Sequence, residues 1–188
     1  MLSISQAVSK PILKSVSKVA FSLAIIAGST SVIAAPSAAK PSLVLQQSNV
    51  SLTLANQLID ATMAACHAEG KSAVVAVVDR AGNLIALQRD DSVGPHNTDA
   101  AIRKAYTALS TKTPSRLLAN NARANPDSSN LNTVHDLLLI GGGVPLKFGN
   151  EVIGAIAAGG AGGAMQDESC ALKGVEKVMP TQNMMPKK

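Results

Sequence analysis

Apolar residues recur along the chain at two different periods, and the changes between them mark the elements. From Leu52 to Glu69, Leu54, Leu58, Thr62 and Ala65 repeat at helical spacing, flanked by Ala55, Ile59 and Cys66. Ser51 or Thr53 is placed to cap this helix and Gly70 to end it. Ala73 to Val78 is then a short β-branched run, apolar at every position. Such a strand is covered on both faces, by helices or by a neighbouring subunit, and the second option predicts a homo-oligomer. Asp79 to Asn83 reads as a turn into a second strand, Leu84 to Gln88, with Gly82 supplying the positive φ.

The later elements follow the same logic. A helix is expected over Asp99 to Leu109, burying Ile102, Ala105, Tyr106 and Leu109. Thr113-Pro114 opens a shorter one, with Thr113 as cap and Pro114 at the first helical position. Asn120 to Thr133 is polar and reads as a surface loop. Asp136 to Ile140, Val144 to Phe148 and Glu151 to Ala158 are three further strand candidates, with Gly149-Asn150 as the turn between the last two. A closing helix runs from Asp167 to Val178 and Pro180 stops it. The expected fold is a single α+β domain, an antiparallel sheet of about five strands flanked by helices.

Charge changes the picture at the N-terminus. Lys10, Lys14 and Lys18 are the only charges before Lys40, and they precede the weakly polar run Val19 to Ala35. A basic stretch, a short apolar core and small residues at the exit are the features of a secretory signal, with cleavage after Ala34 or Ala39. Gly28, Ser29, Thr30 and Ser31 dilute the run below what a stable membrane anchor needs. The organisation is therefore a leader and lead-in over 1–39, a linker over 40–51, the domain over 52–179 and a disordered tail over 180–188. An exported protein, periplasmic or extracellular, is expected. Loss of the three leader lysines reduces the formal charge from +5 to +2. Only Tyr106 and Phe148 then remain as aromatics, so nucleic acid is a poor partner.

The chemistry-bearing residues are few. The run Gly159-Gly160-Ala161-Gly162-Gly163 precedes a helix, but its spacing matches neither nucleotide fingerprint, and it reads as a turn or as the lining of another pocket. No H-E-x-x-H and no G-x-S-x-G occurs, so zinc and serine hydrolase chemistry have no handle in the sequence. Of the three imidazoles, His67, His96 and His135, His96 lies in a loop before a helix, where ligands are met. Cys66 and Cys170 both sit on helices; they can bridge in an oxidising compartment or stay as buried thiols.

Several segments together resemble the GlcG/HbpS-like family of haem-binding or haem-degrading proteins. Val77-Val78-Asp79-Arg80-Ala81-Gly82-Asn83-Leu84-Ile85-Ala86-Leu87 is similar to its first hairpin. Gly94-Pro95-His96 with Arg103 to Ala108 resembles its next helix. Gly141 to Pro145, Val152 to Ile156 and Asp167 to Ala171 with Gly174 resemble its last hairpin and closing helix. Ala157-Ala158-Gly159-Gly160 departs from the family's usual Gly-Val-Ser-Gly, which removes a hydroxyl. The resemblance implies higher oligomers such as octamers, and haem or a related tetrapyrrole as ligand. On that basis His96 is the candidate haem-iron ligand, with Arg103 and Lys104 meeting propionates and Gly159-Gly160 lining the site. An enzyme acting on haem or on a small hydroxy acid is the alternative, with no catalytic residue set to carry over, and an oligomer without ligand is a third. The family's cytoplasmic members carry the same closing-helix cysteine, so the resemblance implies that Cys66 and Cys170 are reduced.

Overall fold

The computed structural model describes residues 42–180. Both signal cleavage positions, the start of the linker and the tail from 181 lie outside the described residues. None of the described helices is long and apolar enough to cross a membrane.

The first helix, α1 (Leu52–Ala68), is capped by Ser51, whose Oγ accepts from the Leu54 amide at 3.1 Å. Its buried stripe is Ala55, Leu58, Ile59, Thr62 and Cys66; Leu54 and Ala65 lie at the stripe's margin. The hairpin β1 (Val74–Asp79) to β2 (Leu84–Arg89) forms where expected. The Asp79 carboxylate clamps its turn by accepting from the Ala81 and Asn83 amides, both at 2.8 Å, and Gly82 takes φ +87°. Next come α2 (His96–Thr111) and α3 (Ser115–Ala124), then β3 (Gly143–Phe148), β4 (Glu151–Gly159) and α4 (Ala164–Val178).

The sheet has four strands in the order β2-β1-β4-β3, all antiparallel. The fifth expected strand, Asp136 to Ile140, does not form. Asp136 adopts φ +68°, and the backbone beyond it is satisfied by helix side chains instead of a ladder. Leu137 O accepts from Arg103, the Leu138 amide donates to Thr107 Oγ1 at 2.8 Å, and Ile140 O accepts from Ser115 Oγ at 2.7 Å. The expected polar loop over Asn120 to Thr133 is also structured. The α3 helix continues to Ala124 and a 3-10 turn spans Pro126–Thr133. Thr113 bonds back to Thr111 O and does not cap α3, which begins one residue after Pro114.

Helices cover both faces of the sheet. Val75, Val77, Leu146 and Ile156 face α1 and α4, in one cluster with Leu58, Ile59, Met63 and Ala171. Val74, Ala76, Val78, Ala155 and Ala157 face α2, which presents Ala101, Ala105 and Ala108. The doubly apolar β1 is thus covered by the chain's own helices, and it no longer argues for a neighbouring subunit. The expected reduced thiols are corrected as well. Helices α1 and α4 lie side by side on one face, and Cys66 and Cys170, with Cα atoms 5.3 Å apart, form a disulfide.

Candidate functional site

The start of α2, the end of β4 and the first turn of α4 converge on one end of the sheet. His96 opens α2 on an exposed position. Residues three and seven positions later share its face, so His96, Asp99 and Arg103 form one stripe over about 10 Å of helix. Arg103 Nη1 lies 3.8 Å from Asp99 Oδ2 and its Nη2 donates to Leu137 O at 3.1 Å. Asp99 and Arg103 then line one side of a cleft of about 530 Å³, with Asn132 to Asp136 on the other.

Lys104 points elsewhere. It is 3% exposed, and its Nζ lies 2.8 Å from Asp167 Oδ2 and 3.4 Å from Ala158 O. Asp167 Oδ1 accepts from the Ala161 amide at 2.8 Å, so one carboxylate holds both the buried ammonium and the glycine-rich loop. A buried lysine paired with a buried carboxylate is a strut, and not a free hand for a ligand carboxylate. Beside it, Arg116 pairs with the buried Glu168.

The Gly159-Gly160 loop is brought to the beginning of α2. Gly160 has φ +86°, and a Cβ there would lie 2.8 Å from Val93 Cγ1 and 3.5 Å from Asn97 Nδ2. A side chain would push this loop off the residues that flank His96. Of the five candidates, the fold thus gathers His96, Gly159 and Gly160 at one place. It sets Arg103 two turns along the same outer face and buries Lys104 beneath.

The three imidazoles differ in their partners. His67 Nε2 is 2.9 Å from Asp90 Oδ2, and His135 Nδ1 is 2.8 Å from Asp136 Oδ2. His96 has no hydrogen bond or ion pair among the described residues. Burial pushes the Asp90 carboxyl upward, but hydrogen bonds from the Ala73 amide and His67 outweigh it and hold the group below its ordinary value. Two residues beside these candidates carry no chemical signal in the sequence: Asp167, at the start of the closing helix, and His135, which follows the polar stretch and borders the cleft opposite Arg103. No cluster of three His, Cys, Asp or Glu that could hold a bare metal ion occurs among the described residues.

Known proteins place the chain clearly. The family description "Haem degrading protein HbpS-like" matches residues 50–176. A crystal structure of a Streptomyces reticuli HbpS double mutant superposes with TM-score 0.68 at 32% identity, covering 77% of this chain and 97% of that one. The Klebsiella pneumoniae protein ORFY gives TM-score 0.71 at 25% identity, covering 75% and 98%. A crystal structure of a PduOC–haem complex, at 21% identity and TM-score 0.62 over 73% and 99%, shares the fold. The chain belongs to the HbpS-like family.

Proposed function

We propose that the protein is an exported, oligomeric haem-binding protein whose iron ligand is His96 and whose propionate contact is Arg103. The observation that carries this reading is that His96 is the one imidazole of three with no carboxylate partner among the described residues. It shares an open helix face with a guanidinium two turns away, a separation comparable to that between a porphyrin's centre and its propionates. Arg103 keeps donors free after its bond to Leu137 O, and a guanidinium suits a carboxylate.

The residues fit haem at its polar ends. Between them the aliphatic wall is thin: the cleft's one large apolar residue is Val134, itself 49% exposed. A second copy closing over this face would complete the wall, which is the role given to oligomerisation here. Bound haem would supply the redox-active iron; the chain's own task is to ligate, orient and shield it. Lys104 is reassigned from propionate contact to the strut that fixes Gly159-Gly160 beside His96. Binding is favoured over degradation because His96 lacks the orienting carboxylate that acid/base chemistry uses.

Hemin titration of the purified domain tests the reading. A saturable Soret shift is expected, and His96→Ala should weaken affinity at least tenfold, about 1.4 kcal/mol. His67→Ala, outside the cleft and paired with Asp90, should leave affinity unchanged. Equal titrations for wild type and His96→Ala would remove His96 from the site. Light scattering should report a multimer, and a monomer at all micromolar concentrations would remove the proposed second wall.

A further inference from the structure

The opposite end of α2 carries a second cleft, unconnected with the proposed haem face. Its volume is about 370 Å³, and Arg80, Tyr106, Leu109, Ser110, Lys112 and Val152 line it. That size is in the range of small-ligand sites. Two cations border it and no acid does.

The local structure explains why donors remain available, although Glu151 pairs with Arg80. The one acid of the neighbouring turn, Asp79, is consumed by the Ala81 and Asn83 amides and the Asn83 side chain. Arg80 uses Nη1 for Glu151, at 3.0 Å, and for Ser48 O, leaving Nη2 and Nε uncommitted. The Arg80 backbone is fixed by Asn49, whose Oδ1 accepts from the Arg80 amide at 2.9 Å. The Lys112 ammonium and the Tyr106 hydroxyl have no hydrogen-bond or ionic partner among the described residues. The Tyr106 ring is held in place because Gly82 packs on it; a Cβ at Gly82 would lie 2.8 Å from Tyr106 Cε2.

Lys112 itself is unusual. It terminates α2 in the left-handed region, at φ 53° and ψ 26°, where glycine or asparagine is the ordinary choice. A lysine kept in this conformation beside a cleft points to a task for its ammonium. Leu109, Val152 and the tyrosine ring supply an apolar floor between the two cations.

From these features we infer a binding site for a small organic monocarboxylate with a short apolar body. Arg80 and Lys112 take the carboxylate, the Tyr106 and Ser110 hydroxyls donate to it, and the body rests on Leu109 and Val152. The inference is independent of haem binding.

The chain reports on this cleft by itself, because Tyr106 is its one tyrosine and it has no tryptophan. Butyrate, which is transparent where tyrosine is excited, should change Tyr106 emission saturably and release or absorb heat in calorimetry. Butyramide and inorganic phosphate at equal concentration should do neither. Lys112→Gly suits the backbone conformation, so it should melt no lower than wild type yet bind butyrate at least tenfold more weakly. Its hemin titration should be unchanged, which separates this site from the haem proposal. Absence of both heat and emission change, equal butyrate affinity in Lys112→Gly, or phosphate binding as tightly as butyrate would each overturn the assignment.

Discussion

The two sides of the sheet are built from different materials. On one, Leu58, Ile59 and Met63 interlock with Val75, Val77, Leu146 and Ile156, and the Cys66–Cys170 disulfide and the Glu69–Lys173 pair tie α1 to α4. On the other, Ala101, Ala105 and Ala108 meet Val74, Ala76, Val78, Ala155 and Ala157. That layer is thin: a Cβ at Gly143 would lie 2.2 Å from Lys104 O. Both sides bury a few polar groups, Lys104, Thr107 and Ser115 here and Thr62, Asp167 and Glu168 on α1 and α4, so the contrast lies in side-chain bulk and covalency. The crosslinked side supplies stability from bulk and covalency. The alanine side holds α2 close, and both ends of α2 carry a candidate site. Strength and placement are divided between the faces.

The largest test removes the covalent tie. The disulfide closes a sequence separation of 104 residues, so replacing both cysteines by serine should cost about 4–5 kcal/mol in denaturant unfolding. Thiol counting on the denatured, unreduced protein should find none free; two free thiols would erase the asymmetry between the faces.

Next is the buried charge that joins the layers. Asp167→Ala leaves Lys104 unpaired and the Ala161 amide without its acceptor, and should cost about 3–5 kcal/mol. Unfolding measurements on Asp167→Ala and on the double variant with Lys104→Met check this, since the double variant should recover much of the loss.

A volume test is smaller. Ala105→Val adds bulk to the thin layer and should cost about 1–3 kcal/mol, whereas Leu58→Met on the aliphatic side should cost less than about 1.5 kcal/mol. Similar values would mean that the two faces tolerate strain alike.

The smallest effect is in acid. Asp90, just beyond β2, accepts from the Ala73 amide and from His67 at the end of α1, and its native pKa lies below the ordinary 3.8. A depressed carboxyl contributes stability that is full above the unfolded value and is lost as pH falls through the native one. Asp90→Asn should therefore flatten the stability profile below about pH 4 and be less stable above it. Parallel acid titrations of the two proteins measure the difference.

The periodicities that carried most of the fold were local ones. A β-branched run and a Gly82 turn suffice for the first hairpin, and Ser51 and Gly70 bound α1 as expected. Asp136 to Ile140 misled because its apolar content was right for a strand, while its hydrogen-bond partners came from Arg103, Thr107 and Ser115. The exposed placement of His96 at a helix start was legible in the sequence, and the burial of Lys104 went unread. Yet the signal was present. Ala101, Lys104, Ala105 and Ala108 share one helical face, and adjacent residues on a helix point about 100° apart, so Arg103 and Lys104 were poor candidates for one ligand. Asp167 was out of reach of such reasoning, because its partner lies 63 positions away.

The pairing of Thr62 with Gly174 and of Cys66 with Cys170 runs α1 and α4 in opposite directions. The first turns of α1 and the last turn of α4 therefore end together, and Gln57, Asp60, Lys177 and Val178 border a common hollow. Chain entry and chain exit are neighbours, which makes the domain a candidate for circular permutation. A short glycine-serine bridge from α4 to α1, with new termini opened at Gly149-Asn150, would keep every helix and strand but change what the crosslink encloses. The cysteines would then close roughly 30 residues of chain, and the entropic worth of the same bond would fall by about 1 kcal/mol.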